Sequence, residues 1–542
     1  MSQHIKTDVL VSGGGPVGLL VVYGLARPGV KAFVVEQHDK DQQAMYGRAT
    51  TLYPRTLEML DQLDLLDDMN QIGFIGRNSV TYKDGERVTS RGWHTMFQRI
   101  TGTYLDYCLN IRQKYSEGVF RDAYKRLGGE PYIGWKLESL SVDPASEDDC
   151  KVTSHIRNLE TNETVTVKSK YIVGADGGHS LVRRLAGITS EVEQTEYKWI
   201  RIDGRLKTNI PDANLGFASI ESKSHGNVLW VQLDHGVKRI GFAMTKQILA
   251  KAMEPFSLEF ESVDWWTLYS IKQSVADTFI SNDRIILAGD ACHTHSSGAA
   301  QGMNTGIHDA VSLSWKLAGM VKGWYSSDVL QTYDTERRAA AQYLIELDKA
   351  FSATISGQIP ETHKGRYTDA NELFTKLFDE SIQFSIGLGV HYEENIINKA
   401  PTTGMVPTGW RAPDALVYAP GSRLPTRLFN LKKNHGQCRD SREISVAVEE
   451  LRTIARTLPK GMIRFLTIVG QYVVEGDKYF SIARLGYTCF DSDQSAHVAY
   501  SVSPANGAVV VLRPDGLLAY ATTLDNVGGL AAFLGSLSRD AQ

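Results

Sequence analysis

Residues that can do chemistry crowd into one stretch, "ILAGDACHTHSSGAAQGMNTGIHDA", from Ile286 to Ala310: Asp290, Cys292, His293, His295 and Asn304 among several glycines. Three chemistries suit those residue types. His293 and His295 at i, i+2 could ligate a metal, but no acidic or thiolate partner beyond Cys292 lies at matching spacing. Cys292 could be a nucleophile, but it lacks a paired base and reads better as a small buried residue. In the third reading the stretch cradles a flat, electron-poor ring. Asp290 follows a buried strand, Arg284 to Ala288, where its carboxylate can bind a polyol hydroxyl at the ligand edge of an α/β sheet. Gln301, Gly302, Met303 and Asn304 precede a long helix, Thr305 to Val321, so their free N–H groups and the helix dipole favour a delocalised anion.

Two distant stretches decide among these. Gly13, Gly15 and Gly18 form G-x-G-x-x-G after an apolar strand, Thr7 to Val11, with Pro16 opening a helix to Leu25. The glycines allow a tight turn and a close approach to a pyrophosphate, whose charge meets the helix N-terminus. Glu36 ends the second strand, Lys31 to Glu36, where its carboxylate can accept ribose hydroxyls. In "YIVGADGGHSLVRRLAGI", Asp176 and Gly177 follow another strand; alone, that motif is equally a strand-turn-helix with an Asp cap.

The elements that must position these residues alternate β-α-β at the start. The stretch "RTLEMLDQLDLLDDM" then carries Leu57, Leu60, Leu63 and Leu66 on one face of an expected helix. From about Glu191 to Ser270, alternation in "VLWVQL" and "RIGFAM" predicts an antiparallel sheet, whose Trp230, Gln232, His235 and Met244 are candidates to line a pocket. A helical region, "YDTERRAAAQYLIELDKAF", leads to a Pro- and Gly-containing connector at 401–424. Residues 425–542 change character, with a strand "FLTIVG", a hairpin "AVVVLRPDGLLAYA" turning at Pro514-Asp515-Gly516, and a terminal helix from about Asn526.

Composition narrows the function classes. The 542 residues are 42% hydrophobic and 22% charged, with a net charge of -4, a globular balance with no basic footprint for nucleic acid. No segment reads as a membrane span: the apolar run "VLVSGGGPVGLLVVYGLA" is broken by Gly-Gly-Gly-Pro. Five scattered cysteines without a C-x-x-C pair fit a reducing cytoplasm.

Together, the glycine loop with Glu36, "GADGGHSLVRRL" and "GDACHTHSSGAAQGMNTGIHDAVSLSWKLA" closely resemble the three fingerprints of the single-component FAD-dependent aromatic hydroxylases, in the phenol hydroxylase-like branch. "RTLEML" and "YDTERR" extend the resemblance over nearly the whole chain. It implies an α/β fold of the p-hydroxybenzoate hydroxylase type. A Rossmann-like FAD-binding domain (1–190 with 275–400) would carry an inserted antiparallel substrate sheet (78–110 and 191–274) and a C-terminal thioredoxin-like domain (425–542) lacking CxxC. It implies that Asp290 holds the ribityl chain, that the backbone of Gly302 to Asn304 faces the flavin pyrimidine, and that Asp176 acts near the pyrophosphate. Arg48, Arg112 and Gln113 would help seat FAD, and Arg48 would also meet NADPH.

Tyr269, in "DWWTLYSIKQSVADTF", matches a tyrosine that lies near the substrate hydroxyl in that branch, or else is one more half-buried sheet aromatic. The implied reaction is hydroxylation of a phenolic or polyketide-type aromatic by a flavin C4a-hydroperoxide made from O2 with NADPH or NADH as donor, in a homodimer with no metal. Three positions depart from the family: Thr50 replaces an Asp that commonly draws the phenol proton, Ser297 replaces a Pro, and Ala300 replaces a Gly. Baeyer-Villiger insertion, epoxidation, dearomatising oxidation and a non-catalytic flavin- or NAD-binding role are the competing readings. A plain NAD-dependent dehydrogenase would need only the glycine loop.

Overall fold

The computed structural model describes residues 4–89, 94–222, 226–244, 255–296, 298–401, 405–431, 446–470, 485–503 and 506–538. Strand β1 (His4–Ser12) lies inside a sheet covered on both faces, so its Val9, Leu10 and Val11 form a continuous apolar run rather than an alternation. Helix α1 (Pro16–Ala26) begins with proline at its first turn and returns the chain to β2 (Ala32–Glu36), parallel to β1. Helix α2 (Pro54–Gln62) ends where Asp64 takes φ 60°, and a separate short helix, Leu66–Asn70, follows. The leucine stripe therefore bends at Leu63 instead of running through one helix.

Helix α3 (Gln113–Arg126) and strand β3 (Thr164–Gly174) complete the first half; β3 pairs with β1 in parallel. The order across this sheet is 280–281, 285–287, β3, β1, β2 and 132–133, with 152–158 and 135–142 branching from β3.

Two long strands, β4 (Ser190–Thr208) and β5 (Leu258–Ala276), form the spine of a second sheet with 238–244, 226–232, 216–222, 78–83 and 86–88. It is mixed rather than purely antiparallel. Strand 78–83 arrives from the first domain, not through a hairpin, and lies parallel to 216–222. Strand β6 (Ile285–Leu287) then returns to the first sheet beside β3 and leads into helices α4 (Gln301–Val321) and α5 (Ser327–Ile355).

The C-terminal part contains a four-stranded sheet, ordered 425–427, 416–418, 487–490 and 466–469, and the hairpin 508–512/518–523. Strand Leu416–Tyr418 belongs to this sheet although it falls inside the expected connector. Charged side chains lock this part onto the helices. Arg513 pairs with Glu336 (2.7 Å) and Asp515 (2.7 Å), and Lys316 pairs with Glu336 (2.8 Å), all buried. Among the described residues no helix is long and apolar enough to cross a membrane.

Candidate functional site

A cleft of about 1020 Å³ opens between the two sheets. Its floor is the glycine loop, whose three glycines serve different ends. Gly13 sits at φ +107°, and a Cβ there would lie 2.3 Å from the Ala175 carbonyl oxygen. A Cβ on Gly18 would lie 1.9 Å from the Gly13 oxygen, so these two permit strand and helix to close on each other. A Cβ on Gly15 would meet nothing of the chain nearer than Lys40 Nζ at 3.9 Å, so its bareness keeps open ground in front of α1. Glu36, 7% exposed, accepts from the backbone N–H of Gly14 and of His38, each at 2.9 Å, and lines the cleft.

Strand β3 delivers Asp176 beside this loop. One of its oxygens caps the following turn, accepting from Leu181 N (2.8 Å) and Val182 N (3.2 Å); the other is buried without a partner among the described residues, and Asp176 lines the cleft. Strand β6 delivers Asp290, exposed in the cleft at the turn after Ala288.

That turn is held from below by Asp309. It accepts from Gly289 N (3.1 Å), His293 Nε2 (2.7 Å) and Arg337 Nε (2.7 Å). Burial alone would raise the Asp309 carboxyl, but Arg337 and His293 outweigh it and hold it down to about 2. Cys292, His293 and Asp309 form a buried cluster of ligand type, but Arg337 already supplies its cation. Burial pushes the Cys292 thiol well up, which suits an inert residue rather than a nucleophile.

Helix α4 starts at Gln301, not Thr305, with Ala300 before it in the left-handed region (φ 53°) and no side chain capping its first N–H groups. Gly302 and Met303 face the cleft. Gln301 and Asn304 turn away: Gln301 donates to the Ser385 carbonyl (2.7 Å), while Asn304 donates to Thr51 O (2.8 Å) and accepts from Tyr53 N (2.9 Å). They fix the helix start rather than touch a ligand through their side chains.

Residues 6–348 match the family model described as "FAD binding domain", and 465–542 match "Phenol hydroxylase, C-terminal dimerisation domain". The chain belongs to the FAD-dependent aromatic hydroxylases. Its phenol hydroxylase-like relatives include phenol 2-monooxygenase fsqG of Aspergillus fumigatus, 25% identical over 99% of this chain and 97% of the relative. 3-hydroxybenzoate 4-monooxygenase of Comamonas testosteroni is 29% identical over 80% and 73%. The fold is similar to that of the flavin-dependent monooxygenase PieE, solved with FAD and substrate, at TM-score 0.73 and 18% identity over 98% of both chains. It is also similar to OxyS anhydrotetracycline hydroxylase of Streptomyces rimosus, at 0.70 and 20% over 98% and 99%. The hydroxylase's three convergent segments fit FAD: a bare Gly15, an unpartnered Asp176 oxygen and uncapped N–H groups at α4 are the features a dinucleotide with a reducible ring would use.

The second sheet closes this hydroxylase's cleft. Tyr269, from β5, lines it with a buried hydroxyl that has no partner among the described residues. The exposed Arg48 places its guanidinium 5.1 Å from the Tyr269 ring centre. Arg201, 4% exposed and stacked 4.8 Å from Trp199, lines the same wall. Thr50 is buried at the cleft, so no carboxylate stands at that position.

Several expectations are corrected. Arg112 does not line the cleft; its side chain is engaged by Asp234 (2.8 and 2.6 Å) and Asp264 (2.9 Å), tying the start of α3 to the second sheet. Gln113 does line it, braced by Glu117 (2.8 Å). On strand 226–232 the cleft receives Leu229 and Val231, while Trp230 packs into the core on the opposite face and donates to Ala213 O (3.0 Å). Gln232 bonds its own turn and His235 is exposed outside the cleft; the Met244 side chain and Ser297 lie outside the described residues. Sequence reasoning missed Tyr53, whose hydroxyl clamps Ala299 O (2.8 Å), and Glu117 and Arg201, which no motif marks.

Proposed function

We propose that this hydroxylase uses NADPH or NADH and O2 to hydroxylate a phenolic small molecule in the Tyr269 half of the cleft. Bound FAD would accept a hydride from the nicotinamide and pass one oxygen atom of O2 to the aromatic ring, the other leaving as water. The chain does the rest. Gly15, Glu36 and Asp176 bind the dinucleotide end, Asp290 holds the ribityl hydroxyls, and the N–H groups of Gly302 and Met303 face the ring, where they stabilise negative charge.

The observation that carries the substrate assignment is the Tyr269 hydroxyl. A buried phenol without a partner is costly to leave so, and a substrate hydroxyl seated beside it satisfies both. With Thr50 in place of an acid, Tyr269 is the group placed to exchange a proton with the substrate hydroxyl, and the Arg48 guanidinium over the Tyr269 ring sets a positive charge beside that hydroxyl. Leu229, Val231 and Phe217 supply an apolar wall that keeps water from the reacting centre. The C-terminal part supports a homodimer.

The test is a panel of phenols screened for stimulated NADPH consumption, followed by product mass. A hydroxylated product with one added oxygen atom is expected. A lactone or epoxide product, or no stimulation by any phenol, contradicts the reading.

A further inference from the structure

A lysine stands beside the glycine loop. Lys40 Nζ lies 3.1 Å from Glu117 Oε2, 3.7 Å from Glu36 Oε2 and 3.4 Å from the Gly14 carbonyl oxygen, with its side chain 18% exposed at the cleft wall. Beyond Gly15's own chain neighbours, it is the nearest described atom to the point that a Cβ on Gly15 would occupy, so the ammonium borders the open ground in front of α1. Its position is fixed on several sides. The Tyr46 ring centre is 5.4 Å away, and Glu117, 1% exposed, also accepts from the Tyr46 hydroxyl (2.9 Å) and the Gln113 amide (2.8 Å).

Charge gives this geometry a consequence. Glu36 and Glu117 bring two negative charges and Lys40 one positive, a net of -1 beside a ligand whose pyrophosphate carries two more negative charges. No residue in the first turn of α1 is basic, and the Arg48 guanidinium is turned to Tyr269. Without Lys40 the loop and the first turn of α1 offer a dianion only backbone N–H groups beside two carboxylates, the other cleft cations, Arg183, Arg184, Lys136 and Lys272 among them, being carried by other segments, in a setting where like charges a few ångströms apart are weakly screened.

We propose that Lys40 is a further cofactor-binding residue, whose ammonium supplies the positive charge that lets the Gly13 to Gly18 loop accept a pyrophosphate beside Glu36 and Glu117. The inference rests on the loop being the FAD site. A lysine with only a structural task would tie the turn 40–42 to α3 and leave phosphate recognition unaffected.

The experiment titrates the apo-protein with FAD, then measures displacement by ADP and by adenosine, in the wild type and in Lys40→Met, Lys40→Gln and Lys40→Arg. The ratio of ADP to adenosine affinity reads the phosphate contribution alone. It is expected to fall about tenfold or more in Lys40→Met and Lys40→Gln, with Lys40→Arg retaining most of it. An unchanged ratio, including a parallel loss for ADP and adenosine, overturns the role of Lys40, and so does a wild type that binds ADP no better than adenosine. Lys40→Gln retains the polar chain and carries the test should Lys40→Met not fold. A wild type that never binds FAD would instead remove the underlying reading of the loop.

Discussion

At the scale of single residues, the cleft is marked by groups that the fold leaves unfinished. The Tyr269 hydroxyl is one, and Tyr269→Phe is expected to lower turnover about 100-fold and to shift its pH profile, since proton transfer by a positioned group contributes about that much. Initial rates across pH check it; unchanged rates and profile would remove the proton role. Ala300 is another. It stands in the left-handed region that glycine adopts without strain, a conformation costing an alanine about 1–2 kcal/mol. Part of that is regained in Ala300→Gly, less the extra freedom glycine has when unfolded, so urea unfolding is expected to show a gain of up to about 1 kcal/mol. A loss would contradict the strain.

Much at this scale was legible: Gly13, Gly15, Gly18, Glu36 and Asp290 each stand where their motif puts them on the sheet edge. The role of Arg112 was not, because its partner Asp234 lies in a turn of the other sheet and nothing in the spacing of the two announces an ion pair.

At the scale of elements, tight packing explains why the site cannot drift. Helix α1 lies against β1 and α4 because Gly18, Gly289 and Gly306 leave no side chain between them; a Cβ at Gly289 or Gly306 would strike Val17 at 2.8 or 2.7 Å. Asp309 fixes the turn that carries Asp290. Its carboxyl is held at about 2 against an ordinary 3.8, so its contribution is fully present above about pH 4 and is lost as pH falls toward 2.

Asp309→Asn is therefore expected to destabilise the protein at neutral pH by about 3 kcal/mol, by leaving Arg337 buried without its carboxylate, and to flatten the acid limb of the stability curve. Denaturant melts between pH 2 and 7 measure both; an unaltered acid limb would assign the loss to other carboxylates.

The β-α-β unit and the hairpin at Pro514-Asp515-Gly516 could be read from periodicity and turn residues. The face of strand 226–232 could not. Both of its faces carry apolar side chains, so alternation does not say that Leu229 and Val231, rather than Trp230, meet the cleft.

At the scale of the molecule, buried charges join the C-terminal part to the helices of the first domain. Glu336 on α5 binds Lys316, Arg513 and Asn398, and Glu58 on α2 binds Arg55 and Arg411. The Glu336 carboxyl, which burial would raise, is brought to about 2 chiefly by Arg513 and Lys316. Arg513→Met is expected to cost about 3–5 kcal/mol, and the wild type to lose secondary structure and release flavin in one coincident thermal transition. Two well-separated transitions would mean that the C-terminal part folds apart. The Arg513–Glu336 and Arg411–Glu58 contacts span 177 and 353 residues of sequence, which is why no local pattern reveals them.

The most direct measurement is equilibrium FAD binding by the wild type and by Gly15→Val. Gly15 has extended backbone (φ -77°, ψ -175°) and open space around it, so the fold should tolerate the substitution while a pyrophosphate on the loop should not. The expected result is a yellow wild type holding one FAD per chain and a variant that melts at the same temperature without ligand but binds FAD at least about 100-fold more weakly. A colourless wild type after incubation with FAD, or a variant that binds it undiminished, would contradict the proposed cradle.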